Sequence, residues 1–225
     1  ALSTYGLIRY WDVSLITDMS QLFDNKQTFN DDISNWDVSS VTNMEKMFSR
    51  ATSFNQDLNT WDVSNVTNMK YFISCSFDNT ECNTPMSFNG DISDWDVSSV
   101  TDMTYMFLRT VSFQGDISEW NVSNVQTMKG MFHGTDYDYD VGDWDISNGP
   151  SIEAMFADAG FNGDISDWDV SNVTNMYNVF YRNDSFNVDI SDWDVGSVTN
   201  MARMFHTASS FNQDISGWDI SNVTN

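Results

Sequence analysis

Five tryptophans in the middle of the chain stand directly behind an acid: Asp94, Glu119, Asp143, Asp167 and Asp192 precede Trp95, Trp120, Trp144, Trp168 and Trp193. The residue that follows is again acidic in four cases, giving the pairs Asp94/Asp96, Asp143/Asp145, Asp167/Asp169 and Asp192/Asp194, while Glu119 is paired with Asn121. In a strand whose Trp points inward, the residues before and after it point outward together. Carboxylates placed so can attract a partner with a basic surface or hold hard divalent cations such as calcium through oxygen ligands. The plain alternative is a solubilising face that resists aggregation. No calcium-loop spelling such as DxDxDG occurs, so calcium rests on geometry alone. Paired carboxylates also serve acid–base catalysis, but a catalytic pair is singular, whereas these recur copy after copy. With no Ser-His-Asp or Cys-His constellation and no Gly-rich phosphate loop, the reading is not an enzyme, without a cofactor beyond weakly held calcium.

Further acids recur four residues before and one residue after the Trp, as in Asp32 and Asp37, Asp164 and Asp169, or Asp214 and Asp219. Their simplest use is to cap their own turn by accepting backbone N–H bonds. His133 and His206 occupy equivalent places three copies apart, about 15 Å by strand spacing, too far to share a metal; they read as exposed residues after a helix. The only two cysteines, Cys75 and Cys82, lie in an insertion of nine residues within 73–87. If the chain is secreted they close a small disulfide loop, and the stretch SCSFDNTECNTPMSF becomes a second candidate binding feature. N-glycosylation sequons begin at Asn65, Asn121, Asn172, Asn183 and Asn222. Three are the repeat's own NVT, and a by-product of its spelling is the plainer account.

What positions these groups is a repeat. The nine tryptophans fall at 11, 36, 61, 95, 120, 144, 168, 193 and 218, a period near 25 broken once by the insertion. Such a period is the mark of a solenoid, in which one turn cannot bury its apolar face and stacked turns bury each other's. Taking Trp as zero, apolar residues recur at −7, −3, +2, +5, +8, +11 and +12; around Trp36 these are Phe29, Ile33, Val38, Val41, Met44, Met47 and Phe48. Alternation at 0 and +2 predicts a short strand. The +8, +11, +12 spacing predicts one helical face, with Thr at +6 or Asn/Asp at +7 as its N-cap. The expected fold is therefore an α/β solenoid, a right-handed stack of about nine turns, each a short strand plus a short helix, forming a single domain over 1–225.

Composition narrows the function. Thirty-three acids against nine bases leave a formal charge of −24, which repels nucleic-acid phosphates and anionic lipid and favours basic partners. Aromatics at 15% argue against the disorder that acidity otherwise suggests. No apolar run spans a bilayer, so no membrane insertion is expected in this segment. The chain opens and stops within the repeat pattern and reads as a piece of a longer protein.

The strings SFNQDISGWDISNVTN at 210–225, WDVSSVTNMEKMFSRATSFNQDL at 36–58 and MARMFHTASSFNQDIS at 201–216 resemble the BspA-like surface-protein repeats, and more closely the mycoplasma-lipoprotein type of about 25 residues. The resemblance covers almost the whole chain. It implies a leucine-rich-repeat-like stack on a secreted or surface-anchored protein, given to adhesion or to binding host or matrix proteins, without catalysis. Met, Phe and Trp replace the leucines, and the fifth copy closes on Tyr137-Asp138 where Phe-Asn is usual. The expected function is a non-enzymatic extracellular or cell-surface module mediating protein–protein interaction or adhesion. The alternatives are a structural or scaffold subunit of a larger filament or complex, and an acidic cation-binding rod.

Overall fold

The computed structural model describes residues 6–75 and 84–225. Its copies stack in register, but the expected strand-plus-helix turn is not what forms. Among the described residues the one regular element is a 3-10 helix at Ile8–Tyr10, and parallel pairing is confined to isolated bridges at +7, such as Asp18 with Asn43, Asn43 with Asn68 and Asn68 with Asp102.

The segment expected to be helical is a run of tight turns. In the Trp36 copy Met47 N–H bonds to Met44 O at 3.1 Å and Ala51 N–H to Phe48 O at 3.0 Å. The third residue of each turn is left-handed: Lys46 has φ 56° and Arg50 φ 60°, the pattern of type II turns. The same two places are left-handed in copy after copy, including Gln21 and Asn25, Tyr105 and Arg109, and Ala154 and Asp158. A right-handed helix cannot contain such residues. The apolar spacing that suggested one is also what turns of four residues produce, because they too return +8 and +12 to the same side.

Those left-handed residues serve the stacking. Their amides face the next copy, as do those of the residues that open the turns: Lys46 and Arg50, with Met44 and Phe48, donate to the carbonyls of Lys70, Ser74, Asn68 and Phe72 at 2.8–2.9 Å. The N-cap expectation fails with the helix. Thr42, Thr67 and Thr101 send both amide and hydroxyl to the Thr carbonyl of the preceding copy. The +7 side chains of Asn43, Asn68 and Asn175 accept the amide two residues on.

The expected strand at Trp-Asp-Val is likewise absent. Trp36 N–H closes a turn onto Ile33 O, and Val41 N–H another onto Val38 O, at 3.0 and 2.8 Å. The alternation itself is present, with Trp and Val buried and the acids beside them exposed. Here copies are joined by side chains. The indole N–H of Trp36, Trp61, Trp95, Trp120, Trp144, Trp168, Trp193 and Trp218 each donates to a carbonyl of the preceding copy, at 2.8–3.3 Å. That explains why tryptophan rather than phenylalanine holds the place: the ring fills the core and its one polar atom satisfies a buried carbonyl.

Between the two sides lies the core. The Phe at +12 and the Phe at −7 of the next copy stack within a turn, as Phe48 on Phe54 at 3.9 Å and Phe180 on Phe186 at 3.7 Å. Most then stack on their counterpart one copy away, as Phe156 on Phe180 at 5.9 Å and Phe88 on Phe113 at 5.9 Å, while in the Trp61 copy Ile73 holds +12 and Phe72 meets Phe48 edge-on. The Asn after the −7 Phe builds a column of its own. Asn30, Asn55, Asn89 and Asn162 each accept, through Oδ1, the amide of the equivalent residue in the following copy.

Candidate functional site

The Trp side carries the acids in two settings. Asp at −4 and at +1 opens an Asp-x-Ser turn in most copies: Ser147 donates its amide and hydroxyl to Asp145 Oδ1 at 3.0 and 2.6 Å, and Ser34 does the same to Asp32 at 3.1 and 2.7 Å. Asn121 substitutes without loss, accepting both bonds from Ser123. The serine bonds hold Asp37, Asp96, Asp145 and Asp169 below the ordinary carboxylate range. Like charges one copy away oppose them, Asp12 on Asp37 and Asp169 on Asp145, so these carboxylates stand in a column.

At −1 the five acids have no such duty. Asp94, Glu119, Asp143, Asp167 and Asp192 are all exposed. Asp94 accepts a 2.8 Å bond from Asn59 Nδ2. Each flanks a buried Trp, opposite the exposed +1 residue Asp96, Asn121, Asp145, Asp169 or Asp194. Among the described residues no group of three or more His, Cys, Asp or Glu side chains is placed to hold a metal ion.

The tight-turn side gathers the bases, which the register alone could have revealed: Lys46, Arg50, Lys70, Arg109, Lys129, Arg182 and Arg203 lie at +9, +10 or +14, seven of the nine in the chain. Most meet a partner on an adjacent copy. Arg50 Nη2 lies 2.7 Å from Asp24 Oδ2, Lys129 Nζ 2.8 Å from Glu153, and Arg182 Nε 3.1 Å from Asp158. Lys46 and Lys70 lie over the Tyr71 ring, which stacks on Tyr105 at 5.2 Å. His133, expected exposed, is partly buried, and its Nε2 is 3.7 Å from Asp158 Oδ2. Burial lowers its pKa, with Asp158 opposing and Arg109 adding to the effect. His206 is exposed and stacks on Tyr181 at 5.3 Å.

The sequon asparagines belong to the framework. Asn65, Asn172 and Asn222 donate Nδ2 to a carbonyl of the preceding copy at 2.8–2.9 Å. Asn183 is buried, bonded to Phe161 O at 3.0 Å. Cys75 is buried, while its expected partner Cys82 lies outside the described residues, as does the insertion from 76 to 83. No helix among the described residues is long and apolar enough to cross a membrane.

One family model matches the chain three times, over residues 3–86, 82–160 and 136–225; it is described as Mycoplasma protein of unknown function, DUF285. That is the mycoplasma side of the resemblance; nothing in the match speaks for BspA itself. No curated protein and no solved structure matches. With copies of the repeat matched from end to end, the chain belongs to this Mycoplasma family of unknown function.

Proposed function

We propose that the chain is a non-enzymatic extracellular or cell-surface repeat module, of the adhesive kind that BspA-like repeats exemplify, and that its Trp side meets a macromolecular partner with a basic surface. One observation carries this reading: over five consecutive copies, from Trp95 to Trp193, an exposed acid precedes a buried Trp and, in all but the Trp120 copy, a second follows it, and the −1 acids among them make none of the Asp-x-Ser bonds that build the fold. Charge of one sign in a regular, rigid array draws a partner of opposite sign, with strong salt dependence. The test is binding to a poly-lysine-coated sensor. The wild-type chain should bind at low salt and release as salt rises. The variant combining Asp94→Asn, Asp143→Asn, Asp167→Asn and Asp192→Asn should keep its melting temperature and lose about tenfold in affinity, some 1.4 kcal/mol. Equal binding by both would reduce the stripe to a solubilising surface.

A further inference from the structure

The residue after the Trp is Asp in eight of the nine copies and Asn in one, Asn121. Ser123 stands two residues on, where most copies place the serine of the Asp-x-Ser turn. The single exchange therefore writes Asn121-Val122-Ser123, an acceptor spelling for a sugar on the asparagine side chain.

Asn121 keeps the turn and frees its other end. Ser123 donates its amide at 3.2 Å and its hydroxyl at 2.7 Å to Oδ1. A backbone N–H can only donate, so the atom it meets is the oxygen, and Nδ2 is the end turned away. Asn121 is exposed, and its Nδ2 makes no hydrogen bond among the described residues.

The other four sequons are committed to the framework. Asn65, Asn172 and Asn222 spend Nδ2 on the carbonyls of Ser39, Ser147 and Gly196 at 2.8–2.9 Å. In two of them the threonine hydroxyl is engaged as well, Thr67 on Thr42 O and Thr224 on Thr199 O, both at 3.2 Å. Asn183 is fully buried, with Nδ2 on Phe161 O. Each of these bonds ties one copy to the one before it, so a joint of the stack must open before a sugar can be attached. At Asn121 nothing has to open.

We infer that Asn121 is a site of N-glycosylation on the folded protein, taking one sugar from a nucleotide-activated hexose. Nδ2 forms the bond to C1 of the sugar, and the bond from C1 to the phosphate oxygen breaks. The nucleoside diphosphate leaves with that electron pair, and one Nδ2 proton passes to a base of the transferase. Oδ1 takes no part and keeps both Ser123 bonds, so the turn survives the modification. By register the sugar stands between Asp96 and Asp145, at the one gap in the +1 column of acids.

The test is to incubate the folded chain with UDP-glucose and a soluble asparagine glucosyltransferase shown to be active on the free peptide of residues 119–125, and to map hexose by peptide mass spectrometry. Asn121 should be modified about fivefold faster than Asn65, Asn172 or Asn222, where a carbonyl bond must first break, and Asn183 should stay unmodified. Asn121→Asp installs the residue of the other eight copies; it should keep the melting temperature and lose the fast phase of hexose uptake. Transfer to the peptide without transfer to Asn121 of the folded chain would overturn the site. So would equal rates at Asn121 and Asn65, or a fast phase that persists in Asn121→Asp. The result is independent of what the acidic face binds.

Discussion

The two long sides of this stack are joined by different means. On the tight-turn side, backbone amides reach from copy to copy, and bases find acids on an adjacent copy. On the Trp side the indole N–H makes the crossing, and acids face solvent with few bases near. The first arrangement neutralises charge inside the framework, while the second leaves charge over for something else. A column of like charges is tolerable only because cohesion comes from elsewhere: the ladder across the core, and the serine bonds that occupy one oxygen of many of the aspartates.

Removing the crossing group on the Trp side should show this most strongly. Trp168→Ala should cost about 3–5 kcal/mol by denaturant unfolding, from lost burial and the cavity left behind. Trp168→Phe should cost about 1–3 kcal/mol, because the Val141 carbonyl that accepts its N–H at 2.9 Å loses its partner. Equal stability of Trp168→Phe and wild type would show that the indole bond does not join the copies. On the other side Gly134 has φ 68°, and a Cβ there would sit 3.1 Å from Arg109 Cγ. Gly134→Val should destabilise by about 1–3 kcal/mol through backbone strain; an unchanged midpoint would mean that the left-handed turn is not needed for stacking.

Acid separates the sides more gently. Asp37, Asp145 and Asp169 are held below their ordinary value of 3.8 by Ser39, Ser147 and Ser171. A folded pKa below the unfolded one adds stability at pH above the unfolded value, and that stability is lost as pH falls through the folded value. Melting temperature should therefore hold from neutral pH down to about 4 and decline below it. The combined Ser39→Ala, Ser147→Ala and Ser171→Ala variant should be less stable at neutral pH and show a shallower decline. Identical pH profiles would rule out the serine bonds as its cause.

Much of this was legible in the sequence. The period near 25, the buried columns and the outward acids beside each Trp follow from apolar spacing and alternation. Helix and strand did not, because spacing reports which side chains point inward and not how the backbone gets there. Left-handed residues usually announce themselves as glycine, but here Lys46, Arg50, Tyr105, Arg109, Arg203 and Thr207 adopt that conformation. Only the Trp120 copy spells it out, with Gly130 and Gly134 at both turn positions. The strand was cut short by Asp-x-Ser on either side of Trp-Asp-Val, a turn signal read as a local cap. The indole bonds were invisible because a carbonyl 27 or 28 residues away leaves no mark in local spelling.

The one-way amides of the tight turns give the stack an electrical direction. In the Trp36 copy the four turn N–H groups of Met44, Lys46, Phe48 and Arg50 point toward the following copy, and those of Thr42 and Ser53 point back. Peptide dipoles of about 3.5 D aligned in this way add along the axis. Their positive pole lies toward the C-terminal side, the reverse of an α-helix, and each added copy lengthens the dipole rather than cancelling it.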